Sequence, residues 1–476
     1  MSAAPGVGNR TDTFFFRIDN LMTKDKKPVQ APSRAYDFGK IFVVQAVRNH
    51  YCRLVVRGRE NLPKEGSCII APCHQNALMD PLVVLTAIER PTVFLARADV
   101  INMPAFARFF YFLRILPVYR IRDGKENLSK NADIFEQSKG VLMDGVSLCL
   151  MAEGRHNDKH QLLPLVKGMF RIAGDTQKAL GEKPLYIVPT GIDYDDYERP
   201  FANVVLTFGE PIAVGPFMEQ YLEKEPVALN QMREALEGGL RPLMLDIRSR
   251  QCYDEVFALC NACNRTVREE AGLRDTVENR FEVRQRIARR LDKMVEEGCE
   301  KAAPIVHLGK EYRRVCGELG ISERMPSERW PLALLCVATV AVGLTAVAAC
   351  WLPQVAKMLL WALVCYPLTL APTHLVPRRM VKDPQFRSSF NYGIRFVLGA
   401  LYGVVLTLVV ALTSGVWWGI AAFCGSVLMA MASGPIAAFG RGLYENWRYR
   451  VLQLVRPRKT AYLEEIIREV SASMKA

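Results

Sequence analysis

The chain has 476 residues, 50% of them hydrophobic and 23% charged, and 62 basic against 49 acidic side chains give a formal net charge of +13. That much apolar material excludes a disordered chain, and 13 cysteines spread without framework spacing exclude a disulfide-stapled scaffold. A basic chain this apolar points to a membrane surface or to nucleic acid, and the distribution of charge has to separate them.

Residues 1–35 read as a polar tail without a secretory signal, since Phe14-Phe15-Phe16 is too short for the apolar segment of one. Residues 36–51 carry Ile41, Val44, Val47 and Tyr51 on one face, with Lys40 and Arg48 elsewhere. This predicts an amphipathic helix that either faces a core or lies on a membrane. Short apolar runs predict strands at 54–56, 68–71, 92–96, 146–151, 185–188 and 204–208, and helical patterns fall between them at 103–113 and 125–142. The alternation predicts an α/β domain over residues 36–215. Residues 216–328 are rich in Arg and Glu without a strand pattern, which predicts a helical extension. Cys260-Asn-Ala-Cys263 lies within it, but no second pair follows at zinc spacing, so ordinary helix cysteines and no metal are expected.

Residues 329–440 hold four nearly uncharged segments, 331–351, 358–375, 396–412 and 416–438. Each approaches the roughly 20 apolar residues that cross a bilayer, which predicts a membrane domain of about four transmembrane helices, with two re-entrant hairpins as the alternative. Arg313, Arg314, Arg324 and Arg329 precede the first segment. Arg378, Arg379, Lys382 and Arg387 lie between the second and third, and Arg441, Arg448, Arg450, Arg456, Arg458 and Lys459 follow the last. Positive charge on alternate connections puts both termini and the middle loop on the cytosolic side, with residues 441–476 as a basic cytosolic tail. Gly399-xxx-Gly403 and Gly415-xxx-Gly419 have the spacing of close helix contacts. The basic residues flank spans instead of forming a stripe interleaved with aromatics, so a lipid bilayer is the expected partner and nucleic acid is not.

The chemistry gathers in the α/β domain. His74 follows a predicted buried strand, and Asp80 comes six residues later in His74-Gln-Asn-Ala-Leu-Met-Asp80-Pro81. A carboxylate at that distance can hold Nδ1–H and leave the other nitrogen to take a proton from a hydroxyl; the plain alternative is a histidine that caps a helix. Four further blocks follow: Leu116-Pro117-Val118-Tyr119-Arg120-Ile121-Arg122-Asp123, Met151-Ala152-Glu153-Gly154-Arg155-His156, Leu163-Pro164-Leu165-Val166-Lys167-Gly168 and Ile187-Val188-Pro189-Thr190-Gly191. Arginines near a glycine turn suit a phosphate, because the guanidinium fork matches its oxygens.

In this order, over about residues 54–212, the blocks resemble the glycerolipid acyltransferase superfamily, whose members acylate glycerol 3-phosphate and lysophosphatidate. The resemblance implies an α/β acyltransferase domain, with the helical extension and a C-terminal multi-span α-helical membrane domain beyond it. It implies His74 as general base and Asp80 as its orienting partner. Arg120 and the Glu153-Gly154 turn, with Arg122 or Lys167 beside them, would bind the glycerol phosphate, and Pro189 would lie in the acyl-site wall. Two blocks depart from the usual pattern: H-x5-D replaces H-x4-D, and M-A-E-G-R-H-N replaces F-P-E-G-T-R-S. Both variants resemble the fungal-type glycerol 3-phosphate and dihydroxyacetone phosphate acyltransferases. The resemblance therefore implies transfer from acyl-CoA to glycerol 3-phosphate or dihydroxyacetone phosphate at sn-1, with acyl-CoA as co-substrate and no other cofactor. A lysophosphatidate or other lysophospholipid acceptor is the alternative, and a membrane-anchored scaffold with an inactive domain is the alternative of another class. The expected location is an integral membrane protein with a cytosolic catalytic domain, in the endoplasmic reticulum if eukaryotic and in the inner membrane if bacterial.

Overall fold

The computed structural model describes residues 28–97, 104–118, 127–199, 201–326, 330–351 and 380–474; the predicted span 358–375 and the two arginines Arg120 and Arg122 fall outside these. Helix α1 (Arg34–His50) starts at Ser33, whose hydroxyl accepts a hydrogen bond from Tyr36 N. After it come β1 (Arg53–Arg57), β2 (Ser67–Pro72), α2 (Met79–Ala87), β3 (Thr92–Arg97), α3 (Pro104–Phe112), β4 (Ile115–Val118), α4 (Asn127–Met143), β5 (Ser147–Leu150), α5 (Lys167–Leu180), β6 (Leu185–Tyr194), β7 (Asn203–Phe208) and β8 (Ile212–Ala213). The helices beyond the sheet are α6 (Met218–Glu223), α7 (Glu225–Leu240), α8 (Tyr253–Ala262), α9 (Asn264–Glu270), α10 (Val277–Glu296) and α11 (Ala302–Leu319). The apolar α12 (Leu332–Trp351), α13 (Pro384–Ser414), α14 (Val416–Val455) and the final α15 (Pro457–Ser473) complete the described helices.

The strands form one eight-stranded sheet ordered β1-β7-β6-β2-β5-β3-β4, with β8 beside β6. Every pairing is parallel except those of β6 with β7 and β8. Alternation along the central strands sends Ile69, Ala71 and Leu148 to one face, under α5 and α7, and Cys68, Ile70 and Cys149 to the other, under α2 and Val47 of α1. Strands buried on both faces read as continuous apolar runs, which is why they stand out in the sequence. The edge strand β4 does not, because Pro117 interrupts it. At the edge of the sheet a residue without an N–H is tolerated.

The structure changes three expectations of layout. Helices α6 and α7, expected in the extension, pack on the sheet: Tyr221, Leu236 and Leu240 belong to its core. Amphipathic α1 faces the core with its second half only. Val47 and the following Tyr51 are buried, whereas Phe38, Ile41 and Phe42 in its first half are exposed. Residues 441–476 are not a tail. Helix α14 runs on to Val455, and α15 buries Leu463, Ile466 and Val470 in the core of α8, α10 and α11.

Among the described residues, α13 and α14 are long and apolar enough to cross a membrane by length and composition. They form an antiparallel pair in which a side chain on Gly403 would meet Ser426 and one on Gly419 would meet Ala411. One glycine of each predicted pair, Gly403 and Gly419, thus serves close helix contact, whereas a side chain on Gly415 would meet nothing within 4 Å. The pair rests on the α/β domain through Gly434, which packs on Phe201, and through Arg395, whose guanidinium lies 4.1 Å from the Phe201 ring centroid.

Candidate active site

His74 follows the end of β2, and Glu153 follows the end of the adjacent parallel strand β5. Both lie beyond the carboxyl ends of their strands, where open parallel sheets place their ligands. Asp80, in the first turn of α2, is fully buried, while 13% of the His74 side chain remains accessible. Asp80 Oδ2 lies 2.8 Å from His74 Nδ1 and also accepts the backbone N–H groups of Gln75 and Asn76, each at 2.8 Å. Its Oδ1 accepts the Tyr194 hydroxyl at 2.6 Å. A carboxylate can only accept, so Nδ1 carries the imidazole proton and Nε2 is left with its lone pair. Ala77, turned to φ 35°, tightens the five-residue connection so that Asp80 still returns to His74.

Tyr194 was not visible as a site residue in the sequence. It lies at the far end of β6, six residues past the predicted end of that strand, and no motif marks it. Burial raises its pKa well above the ordinary tyrosine value, with the Asp80 charge adding to the effect, so it stays a donor.

Glu153 braces the turn instead of offering itself to a ligand. Its Oε1 accepts His74 N at 2.8 Å and its Oε2 accepts Leu163 N at 3.0 Å. Burial pushes its carboxyl up to about 8 against the pull of those two donors. Both oxygens are thus taken by backbone donors, one on each side of the turn. Gly154 holds φ 61°, and a Cβ there would come within 2.5 Å of Val166 Cγ1, so the position demands glycine on both counts. His156, in the same turn, meets the His74 ring edge-on with centroids 5.6 Å apart. Burial lowers its pKa, as does the neighbouring His74.

Residues 53–193, which contain this whole arrangement, match the family model Acyltransferase. They form an acyltransferase-family domain. The superfamily resemblance drawn from the five blocks is borne out at this level. An uncharacterised acyltransferase of Schizosaccharomyces pombe is 26% identical over 136 residues, which is 28% of this chain and 19% of that protein. The chain therefore spans about a fifth of the length of that curated relative. The 1-acyl-sn-glycerophosphate acyltransferase PlsC from Thermotoga maritima, known from a crystal structure, is 18% identical, with 48% of this chain and 87% of that one covered at a TM-score of 0.31.

The other predicted site residues of the acyltransferase domain separate. Lys167 is exposed at the first position of α5, directly after the Val166 that packs on Gly154. Pro189 pairs with Ala71 and packs against Gly239 of α7, on the face of the sheet opposite α2. It packs beneath α7. Among the described residues no group of three or more His, Cys, Asp or Glu side chains could hold a metal ion. Cys260 in α8 and Cys263 between α8 and α9 are buried, and burial raises both thiols, Cys263 to about 12.

Proposed function

We propose that this chain is a membrane-bound, acyl-CoA-dependent O-acyltransferase that acylates glycerol 3-phosphate or dihydroxyacetone phosphate at sn-1. The reading is carried by the buried Asp80 carboxylate 2.8 Å from His74 Nδ1, within a domain of the acyltransferase family. His74 Nε2 takes the proton of the acceptor hydroxyl while that oxygen bonds to the thioester carbonyl carbon. The tetrahedral adduct expels the CoA thiolate, which recovers the proton from the imidazolium, so no acyl-enzyme is formed. Asp80 fixes the tautomer and stabilises the imidazolium, and Tyr194 with the Gln75 and Asn76 amides holds Asp80 in place.

The acceptor phosphate is held by Arg120, Arg122 and Lys167, and its fixation brings the hydroxyl to the base. The H-x5-D and M-A-E-G-R-H-N variants support a first-step acceptor. The two long apolar helices α13 and α14 support a membrane seat, and the basic residues at their ends support a cytosolic catalytic domain.

The test is transfer from labelled acyl-CoA to glycerol 3-phosphate, dihydroxyacetone phosphate, lysophosphatidate and lysophosphatidylcholine by the purified full chain. Transfer is expected to be fastest to one of the first two acceptors, and His74→Ala is expected to lower it by about a hundredfold or more. Transfer to lysophosphatidate alone would move the chain to the second acylation. A near wild-type rate in His74→Ala would remove His74 as the base.

A further inference from the structure

Helix α13 begins more than 300 residues after His74, yet its first turns lie against the site from four directions. Phe386 meets the His156 ring edge-on with centroids 4.8 Å apart, and His156 in turn meets His74. Ser389 Oγ accepts Leu78 N at 3.2 Å, inside the connection that returns Asp80 to His74. Ser388 Oγ lies 3.1 Å from His50 Nε2 of α1, and both side chains are buried. Arg387 pairs with Glu198 at 2.7 Å, in the loop whose Tyr197 carbonyl accepts Asn76 Nδ2. Every segment that frames His74 on this side is thus fastened to one turn and a half of α13. The His156 turn is tied to His74 a second time, because Asn157 N donates to His74 O at 3.1 Å.

We propose that the first turns of α13, from Phe386 to Ser389, form a wall of the acyl-transfer site, with Phe386 positioning His156 and through it the ring of His74. The proposal rests on the reading of His74 as the base. Asp80 fixes one nitrogen of His74 but leaves the ring free to tilt about that bond. The edge-to-face contact of His156 opposes that tilt, and Phe386 closes the stack from the far side. Nε2 therefore points in one direction only while α13 is docked. Small losses of aim at a reacting group cost large factors in rate. Because α13 continues as an uncharged run from Phe396 to Ser414, the same helix that enters the membrane completes the site.

The experiment compares Phe386→Ala and Phe386→Tyr with wild type and His74→Ala, in full-length protein, by steady-state acyl transfer. A parallel reading, independent of activity, follows carbethoxylation of His156 by diethyl pyrocarbonate through peptide mass spectrometry. Phe386→Ala is expected to lower kcat tenfold or more, with KM for the acceptor within threefold of wild type and a faster carbethoxylation of His156. Phe386→Tyr keeps the ring and should restore kcat to within threefold. An unchanged kcat in Phe386→Ala, with His74→Ala inactive, overturns the wall and leaves the proposed function standing. If His74→Ala stays active, the function reading fails and the wall falls with it, whatever the labelling rate of His156.

Discussion

His160 illustrates at the scale of one residue how burial turns a titratable group into a stability device. Its ring stacks on Phe257 with centroids 5.0 Å apart, and its Nδ1 lies 3.7 Å from Asp193 Oδ1, beside the buried Arg284–Asp193 pair. Burial lowers its pKa to about 3, and the charges of Arg284 and Arg324 act in the same direction. The unfolded chain takes up this proton below about pH 6.5, and the folded one does not until about 3, so stability is lost as the pH falls through that window. The loss should reach about 2 kcal/mol by pH 5. Asp193, which burial pushes up to about 6, acts in the opposite sense. Denaturant unfolding of wild type and His160→Phe between pH 7 and pH 5 isolates the histidine. Parallel stability curves would show that it contributes nothing. The sequence offered His74 and Asp80 because they are six apart, but nothing in it distinguished His160 or Tyr194. Their roles come from what surrounds them in space.

At the scale of elements, β6 carries more than its predicted span 185–188 suggested. Its extension to Tyr194 delivers Tyr194 to Asp80 and Asp193 to Arg284 of α10. Gly191 sits midway along this extension, where the connection after α7 crosses it. A Cβ there would stand 2.0 Å from the carbonyl oxygen of Leu243 and 2.5 Å from its carbonyl carbon. Backbone cannot swing aside as a side chain can, so Gly191→Ala should cost on the order of 3 kcal/mol, read as a fall in the thermal or urea midpoint. A midpoint within error of wild type would mean that the connection moves freely. Gly191 of the fifth block therefore belongs to packing, as Pro189 does, while Gly154 of the third block belongs to a turn. Conformational need and close packing leave the same letter in a sequence.

For the whole molecule, the decisive contacts join segments far apart in the chain. Helix α15 closes the core of α8, α10 and α11, with Leu463, Ile466 and Val470 fully buried. Cys263 Sγ also lies 3.9 Å from Ile467 O. Ile466→Ala should destabilise this core by about 2–4 kcal/mol through lost burial and the cavity left behind. Limited proteolysis of the extension should accelerate in parallel, and unaltered cleavage and melting would contradict the packing. The same helix reads in the sequence as a charged tail, because Arg456, Arg458 and Lys459 open it and its apolar side chains are spaced one turn apart.

The sequence by itself determined what short-range chemistry determines. Strands buried on both faces show as apolar runs, helices long enough for a membrane show as uncharged stretches, and the His74–Asp80 spacing puts an imidazole within reach of a carboxylate. It also carried the family, through the order of five blocks. Only the tertiary structure decided that Glu153 braces the His74 turn, that Pro189 faces away beneath α7, and that Phe386 reaches the site from α13. These outcomes depend on which faces meet across hundreds of residues. The free energy of such contacts lies in packing between elements, and the local pattern of the chain does not record it.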